Sequence, residues 1–160
     1  MSNSTNSLDG LSIAQARAKH NFDFISALYA RAENETIGYI AAPLDTYRTD
    51  DYRNARKSAF ERWPDVHWIQ PAELDWTNDE WLALWPRIVP VLVLLAVVPR
   101  ADGTIGRGVW DEALTCLMHS VPVVARIDAN WQTTFTLERL AGDSWRRYAR
   151  VVSNGAQISC

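Results

Sequence analysis

The stretch Val89–Val98 reads VPVLVLLAVV and is the longest apolar run in the chain. Its ten residues are too few for a membrane-spanning helix, which needs about 20. The run is also too continuous for a strand with one face in water, where apolar and polar residues alternate. It is predicted to be a buried strand, strongest over Pro90–Val98. Such strands belong to parallel sheets with helices on both faces.

The flanking sequence supplies those helices. Residues 11–33 space Leu11, Ala14, Ala18, Phe22, Ile25 and Leu28 as a helix does. Thr36–Ala42 is β-rich and stops at Pro43, and a polar loop over Asp45–Asp51 follows. Arg53–Trp63 is predicted helical up to Pro64, and Val66–Gln70 is a short strand closed by Pro71. Thr77 followed by Glu80 fits a capping box. It opens a helix that carries Trp81, Leu84 and Trp85 and is expected to end at Pro86. Beyond the central strand come a loop (Pro99–Gly108), a helix (Val109–Ser120), a strand (Pro122–Ile127) and an antiparallel hairpin of Phe135–Leu140 with Tyr148–Val152.

This alternation predicts an α/β fold. It is Rossmann-like (flavodoxin-like), with a mainly parallel sheet flanked by helices and a C-terminal β-hairpin extension. Residues 1–10 are expected to be a disordered tail, and residues 11–160 a single domain. In such sheets ligands sit at the carboxyl ends of the strands. The loops Pro43–Asp51, Pro71–Thr77 and Pro99–Gly108 are therefore the places to look.

Composition narrows the partners. The net charge of the 160 residues is −3, which argues against a dedicated nucleic-acid binder with a basic face. Cys116 sits in an apolar stretch and Cys160 is terminal, and two cysteines make no framework, so no zinc or disulfide framework is expected. The opening MSNSTNSLDG has no basic start and no apolar middle. A cytoplasmic, membrane-free protein is expected. The eight Trp residues are read chiefly as core. His20, His67 and His119 are scattered and read as structural, and Arg146, Arg147 and Arg150 as a solvated face.

The chemistry-bearing candidates cluster at one loop. Gly103, Gly106 and Gly108 let the backbone approach a ligand closely, and the helix start that follows favours anions. Their spacing is not that of a dinucleotide fingerprint, and no Walker lysine follows. Arg107 is a candidate for meeting a phosphate. Tyr47 and Arg48, in the first of the three loops, are candidates for stacking on a base or binding phosphate. Asp111 and Glu112 are expected in the first turn of the next helix, where its dipole favours their charged forms. A carboxylate there is suited to attack a glycosidic carbon or to stabilise an oxocarbenium-like centre. Trp110, Leu114, Leu117, Met118 and Val121 form the expected apolar stripe of that helix. Glu112 would then point nearly opposite, either to solvent or into a cleft built by neighbouring loops.

The segment Gly38-Tyr39-Ile40-Ala41-Ala42-Pro43-Leu44 resembles the opening Y-L-A-G-P segment of the nucleoside 2-deoxyribosyltransferase-like proteins and the related nucleotide N-glycosidases. Gly108-Val109-Trp110-Asp111-Glu112, followed by Pro122-Val123-Val124, resembles their G-T-x-x-E and K-P-V segments. The order also fits: an apolar strand, an Asp102-Gly103 loop, a helix carrying Glu and a strand opened by proline. The likeness spans about residues 36–127. Ala42 stands for the family glycine, Val109 for its threonine, and Ala113-Leu114 for its Gly-Tyr.

This resemblance implies Glu112 as nucleophile, with Asp79, or second Asp75, handling the leaving base. It implies a pocket lined by Tyr39, Ala42, Pro43 and Leu44, with Asp102, Gly103, Arg107 and Gly108 nearby. The expected activity is cleavage or transfer at the N-glycosidic bond of a nucleoside or nucleotide. No metal or cofactor is expected, and a homo-oligomer is. The alternative is a non-catalytic nucleotide-sensing or protein-interaction module on the same fold.

Overall fold

The computed structural model describes residues 12–154. The expected tail over residues 1–10 and Cys160 lie outside them. The chain falls into two compact units, divided between Asn34 and Glu35. In the first, α1 (Ile13–Ala32) opens on a complete capping box between Ser12 and Gln15, and Lys19 pairs with Asp23 one turn along.

The second unit is a mixed α/β structure. Its main sheet runs β2-β1-β3-β5-β6. The strands are β1 (Thr36–Ala41), β2 (Val66–Ile69), β3 (Leu92–Val97), β5 (Val123–Ile127) and β6 (Asn130–Gln132). The first four are mutually parallel, and β6 runs antiparallel to β5. A second sheet, antiparallel, runs β4-β8-β7 over β4 (Thr104–Ile105), β7 (Phe135–Arg139) and β8 (Ala149–Ser153). The expected C-terminal hairpin is thus present as β7 and β8, joined by β4 from within the Pro99–Gly108 loop.

Strand periodicity sends alternate residues to opposite faces. On one face Ile40, Trp68, Leu94, Ala96 and Val124 pack with Tyr52, Ala55 and Ala59 of α2 (Asp50–Arg62). On the other face Tyr39 meets α3 (Asn78–Ile88) and α4 (Arg107–Met118). Helices therefore cover both faces, as the apolar run required. The chain moves outward from β1 to β2 and then returns past β1 to β3, so the strand order reverses between β1 and β3.

Several boundaries differ from expectation. The apolar run is not all strand. Val89–Val91 forms a 3-10 turn, and Val93, 46% exposed, sits at a register shift where Ile37 faces Leu92 but Gly38 faces Leu94. α3 passes through Pro86 and ends at Ile88. α2 begins at Asp50, three residues earlier than expected, because Thr49 caps it by accepting from the Tyr52 N–H. α4 begins at Arg107 rather than Val109, so Asp111 and Glu112 lie in its second turn. The dipole argument for their charge loses force there, since the effect fades beyond the first turn. β6 was not expected at all. Its two-residue link from β5 has positive φ at Asp128 (51°) and Ala129 (62°), a turn usually announced by Asn-Gly.

Candidate active site

Helical geometry turns Glu112 the opposite way from the expected stripe. The buried face of α4 is Val109, Glu112, Ala113 and Cys116, spaced as one helical face. Leu117 and Met118 are half or more exposed, and Met118 reaches 74%. Glu112 is only 8% exposed. It points at the sheet, not at solvent.

It meets Tyr39 there. The Tyr39 hydroxyl donates to Glu112 Oε1 at 3.3 Å. Tyr39 is fully buried in the middle of β1, where it pairs with Ile69 on one side and Leu95 on the other. The far side of the phenol ring is walled by α3. Trp81 stacks on it, with ring centroids 5.5 Å apart and planes 20° from parallel, and Trp85 approaches to 4.9 Å. Trp81 and Trp85 lie one turn apart on α3, so both project onto one face. Trp76 extends the array to a fourth ring, 5.4 Å from Trp81. α3 is held in place by its capping box: the Thr77 N–H donates to Glu80 Oε1, and the Glu80 N–H to Thr77 Oγ1, each at 3.1 Å.

Burial sets the charge of the carboxyl. Desolvation pushes the Glu112 pKa up from 4.5 to about 8, against the opposing pull of the Tyr39 hydroxyl and the Trp81 indole. The indole influences the carboxyl from nearby, yet Oε2 is sealed from solvent without a hydrogen bond of proper distance and angle. The site thus holds a mostly protonated acid at neutral pH with one oxygen unspent. Its neighbours respond. The Tyr39 hydroxyl is pushed well up, first by burial and then by Glu112, and the Tyr47 hydroxyl is raised by the same two causes. The Cys116 thiol, one turn further along α4, is pushed up to about 12 by burial and by Glu112.

The strand end after β1 folds back tightly. Ala42 and Pro43 are buried, and the Pro43 carbonyl accepts from both the backbone and the hydroxyl of Thr46. Tyr47 is half-buried and packs on Tyr52 at 5.3 Å. Leu44 is 82% exposed and lines no buried wall, and Arg48 is exposed. Asp75 and Asp79 are both exposed, with Asp79 in the first turn of α3.

The glycine loop is folded against the second sheet instead of forming an open cradle. Gly103, at φ +83°, closes a turn by donating to the Arg100 carbonyl, and its own carbonyl accepts from Val151. The Arg107 N–H at the start of α4 donates to the Trp145 carbonyl at 2.8 Å. The Arg107 side chain pairs with Asp111 at 3.0 Å and lies over the Trp145 and Tyr148 rings. Asp102 accepts from Thr104 and pairs with Arg147, an arginine expected to be merely solvated. Arg100 ties Asp45 to the Arg146 carbonyl. Of this loop only Gly108, in the first turn of α4, has open space where a side chain would stand. Among the described residues no group of three or more His, Cys, Asp and Glu is placed to hold a metal ion. No helix among them is long and apolar enough to cross a membrane.

The residues brought together are therefore Tyr39, Glu112 and, more remotely, Tyr47. Asp75, Asp79, Arg48 and Arg107 are not drawn into contact with the carboxyl. Trp81 and Trp85 are the site residues that sequence reasoning assigned only to a helix stripe. Their one-turn spacing opposite an apolar strand was visible, but nothing in it foretold stacking on Tyr39. Comparison with known proteins yields no match: no family model, curated protein or solved structure is significantly similar to the chain.

Proposed function

We propose that the protein acts on the N-glycosidic bond of a nucleoside or nucleotide, with Glu112 as the reacting carboxyl. The supporting observation is a buried glutamate with one unspent oxygen, set against a stacked Tyr39–Trp81 wall. In this reading the fold is Rossmann-like, of the flavodoxin-like kind, because its parallel strands run β2-β1-β3-β5. The crevice where that order reverses, between β1 and β3, is the ligand edge.

The chemistry follows from charge. Cleaving the glycosidic bond develops positive charge on the sugar carbon. A carboxyl that is neutral in the empty, dry site gains most from ionising when that cation forms. It thus stabilises the transition state more than the ground state. Tyr39 favours the ionised form and fixes the carboxyl's orientation. As the C–N bond breaks, the Glu112 proton passes to the departing base nitrogen, and the carboxylate left behind captures the carbon as an ester, or holds it until water attacks. The aromatic wall suits a planar base. Asp79, two residues before Trp81, is assigned to the leaving base, with Asp75 second. The open position at Gly108 is assigned to the sugar or its phosphate.

A second reading, binding without turnover, is favoured by one observation. The neutral state of Glu112 is a poor nucleophile at neutral pH. The test separates the two. A panel of nucleosides and nucleoside monophosphates is incubated with the protein and released base is quantified by chromatography. Turnover that falls at least about 10²-fold in Glu112→Gln supports the enzyme. Ligand-dependent thermal stabilisation without base release supports the sensor. Base release unchanged by Glu112→Gln removes the carboxyl from the mechanism.

A further inference from the structure

The parallel sheet ends in an open edge at β2. Among the described residues β2 pairs only with β1. The stretch Val66-His67-Trp68-Ile69-Gln70 carries no Lys, Arg, acid or Pro, the residues that commonly blunt an exposed edge. A hollow of about 420 Å³ runs beside it. Val66 and Trp68 lie on the α2 face of the sheet, and His67, by strand alternation, on the other. All three line the hollow, together with Phe60 and Trp63 of α2 and its C-terminal end. A hollow bordered by residues of both faces lies along the edge of the strand.

The neighbouring strands fix the backbone direction at that edge. The Ala41 carbonyl accepts from the Val98 N–H at 2.8 Å, so Ala41 and Tyr39 direct their backbone groups toward β3. Gly38 therefore directs its own toward β2. It is paired with Trp68, and in a parallel pair it bonds to the residues flanking that partner, His67 and Ile69. The N–H and C=O of Trp68 are left pointing outward. Val66 agrees, because its N–H donates away from β1 to the Trp63 carbonyl at 3.2 Å. Gln70 stays extended (φ −119°, ψ 112°), and its carbonyl accepts from the Glu73 N–H at 3.0 Å. The Val66 C=O, the Trp68 N–H and C=O, and the Gln70 N–H thus remain outward and unpaired among the described residues. The Val66 and Trp68 side chains reach over Gly38, where a Cβ would stand 2.7 Å from each, so they lean away from this edge.

These open groups are their own complement. Two antiparallel copies of β2, related by a two-fold axis at Trp68, set Trp68 opposite Trp68 and Val66 opposite Gln70. A directly opposed, hydrogen-bonded pair exchanges both of its N–H and C=O groups. Each Trp68 N–H then donates to the Trp68 carbonyl of the other copy, and each Gln70 N–H to the Val66 carbonyl. The two groups that this register would also pair, the Val66 N–H and the Gln70 carbonyl, are the ones already spent on Trp63 and Glu73. Pro64 and Pro71 stop the ladder at both ends. Phe60, 41% exposed beside the hollow, is covered by the second copy.

We propose that β2 pairs with β2 of a second copy of this chain, joining two sheets into one across a two-fold axis. The proposal does not depend on Glu112.

The test uses the full chain labelled with ¹⁵N. Sedimentation over a concentration series is expected to show the 18.1 kDa chain associating to twice that mass. Amide exchange is followed by NMR over the same series. As the dimer forms, exchange of the Trp68 and Gln70 N–H groups should slow at least about tenfold, while the Ile69 N–H, bonded to β1, stays equally protected throughout. Phe60→Glu places a charge in the seam and should weaken the dimer about tenfold or more. A chain that stays monomeric at millimolar concentration overturns the proposal. So does a dimer in which the Trp68 and Gln70 amides exchange as fast as in the monomer, which would put the contact on another surface, such as the exposed Leu117 and Met118 of α4. Protection of those two amides in the monomer overturns it as well, because the edge would then be covered within one chain. Should Phe60→Glu fail to fold, amide exchange in the wild type carries the decision.

Discussion

The protonation of Glu112 makes a prediction about stability that needs no substrate. Its pKa is raised from 4.5 in the open chain to about 8 in the fold, chiefly by desolvation. Below the open-chain value both states hold the proton, and the buried neutral acid carries no ionisation penalty. Between the two values the unfolded chain releases a proton that the folded chain keeps. Stability then falls by about 1.4 kcal/mol per pH unit. Above about pH 8 both states are ionised and the loss is complete. The full gap corresponds to roughly 5 kcal/mol, of which roughly 3 has accrued by pH 7. Glu112→Gln removes the titration while keeping an acceptor for the Tyr39 hydroxyl. The new amide brings donors to the position of Oε2, which has no partner, at a pH-independent cost of about 1–3 kcal/mol. The decisive quantity is therefore the change in the difference between the two proteins, not its value at one pH. Urea unfolding over a pH series from about 4.5 to 8.5 measures it. The variant should gain on the wild type by roughly 3 kcal/mol between pH 4.5 and 7. A difference that stays flat across this window would show that the carboxyl is ionised in the fold, and the argument from burial would fail.

Three further perturbations probe other parts of the structure. Gly38→Ala would place a methyl 2.7 Å from atoms of both Trp68 and Val66, and should cost about 1–3 kcal/mol in urea unfolding. It should also displace the Trp68 indole signal, whereas an unmoved signal and unchanged stability would refute the close packing. Ala129→Gly relieves a left-handed alanine at φ 62° and should stabilise by about 1 kcal/mol. No gain in Tm would mean that the β5–β6 turn is not built as described. Asp102 is held down to about 2, chiefly by the Thr104 hydroxyl. Its contribution to stability is present above its ordinary value of 3.8 and is lost as pH falls through about 2. Thr104→Val should move the Asp102 carboxyl resonance in an NMR titration back toward 3.8. An unmoved titration would assign the depression to Arg147 instead.

Much of the fold was legible because the dominant force leaves a pattern. The run ending at Val98 demanded two covering layers, and Thr77 with Glu80 announced α3 down to its reciprocal hydrogen bonds. What escaped is local. Pro86 did not end α3, because a proline near a helix C-terminus gives up only one hydrogen bond late in the ladder. β4 and β6 were invisible because strands of two and three residues are too short to show alternation. The turn that makes β6 uses Asp128-Ala129, which lacks the glycine that ordinarily marks such a link.

The site was misread for a more instructive reason. Leu114, Leu117 and Met118 are larger apolar residues than Val109, Ala113 and Cys116 on the other side of α4, so hydrophobicity alone pointed the helix the wrong way round, although Val121 just beyond the helix is buried as expected. The structure buries Val109, Ala113 and Cys116 because small side chains let the helix approach the sheet, and Glu112 goes inward with them. Leu117 and Met118 stay exposed. A helix that turns larger apolar groups outward in order to bury a carboxyl gives up hydrophobic burial and accepts a desolvation cost together. Both losses act against stability, and core packing explains neither. The orientation is intelligible if the carboxyl is wanted where it stands, against Tyr39 and Trp81, and that is the physical case for a function at this place.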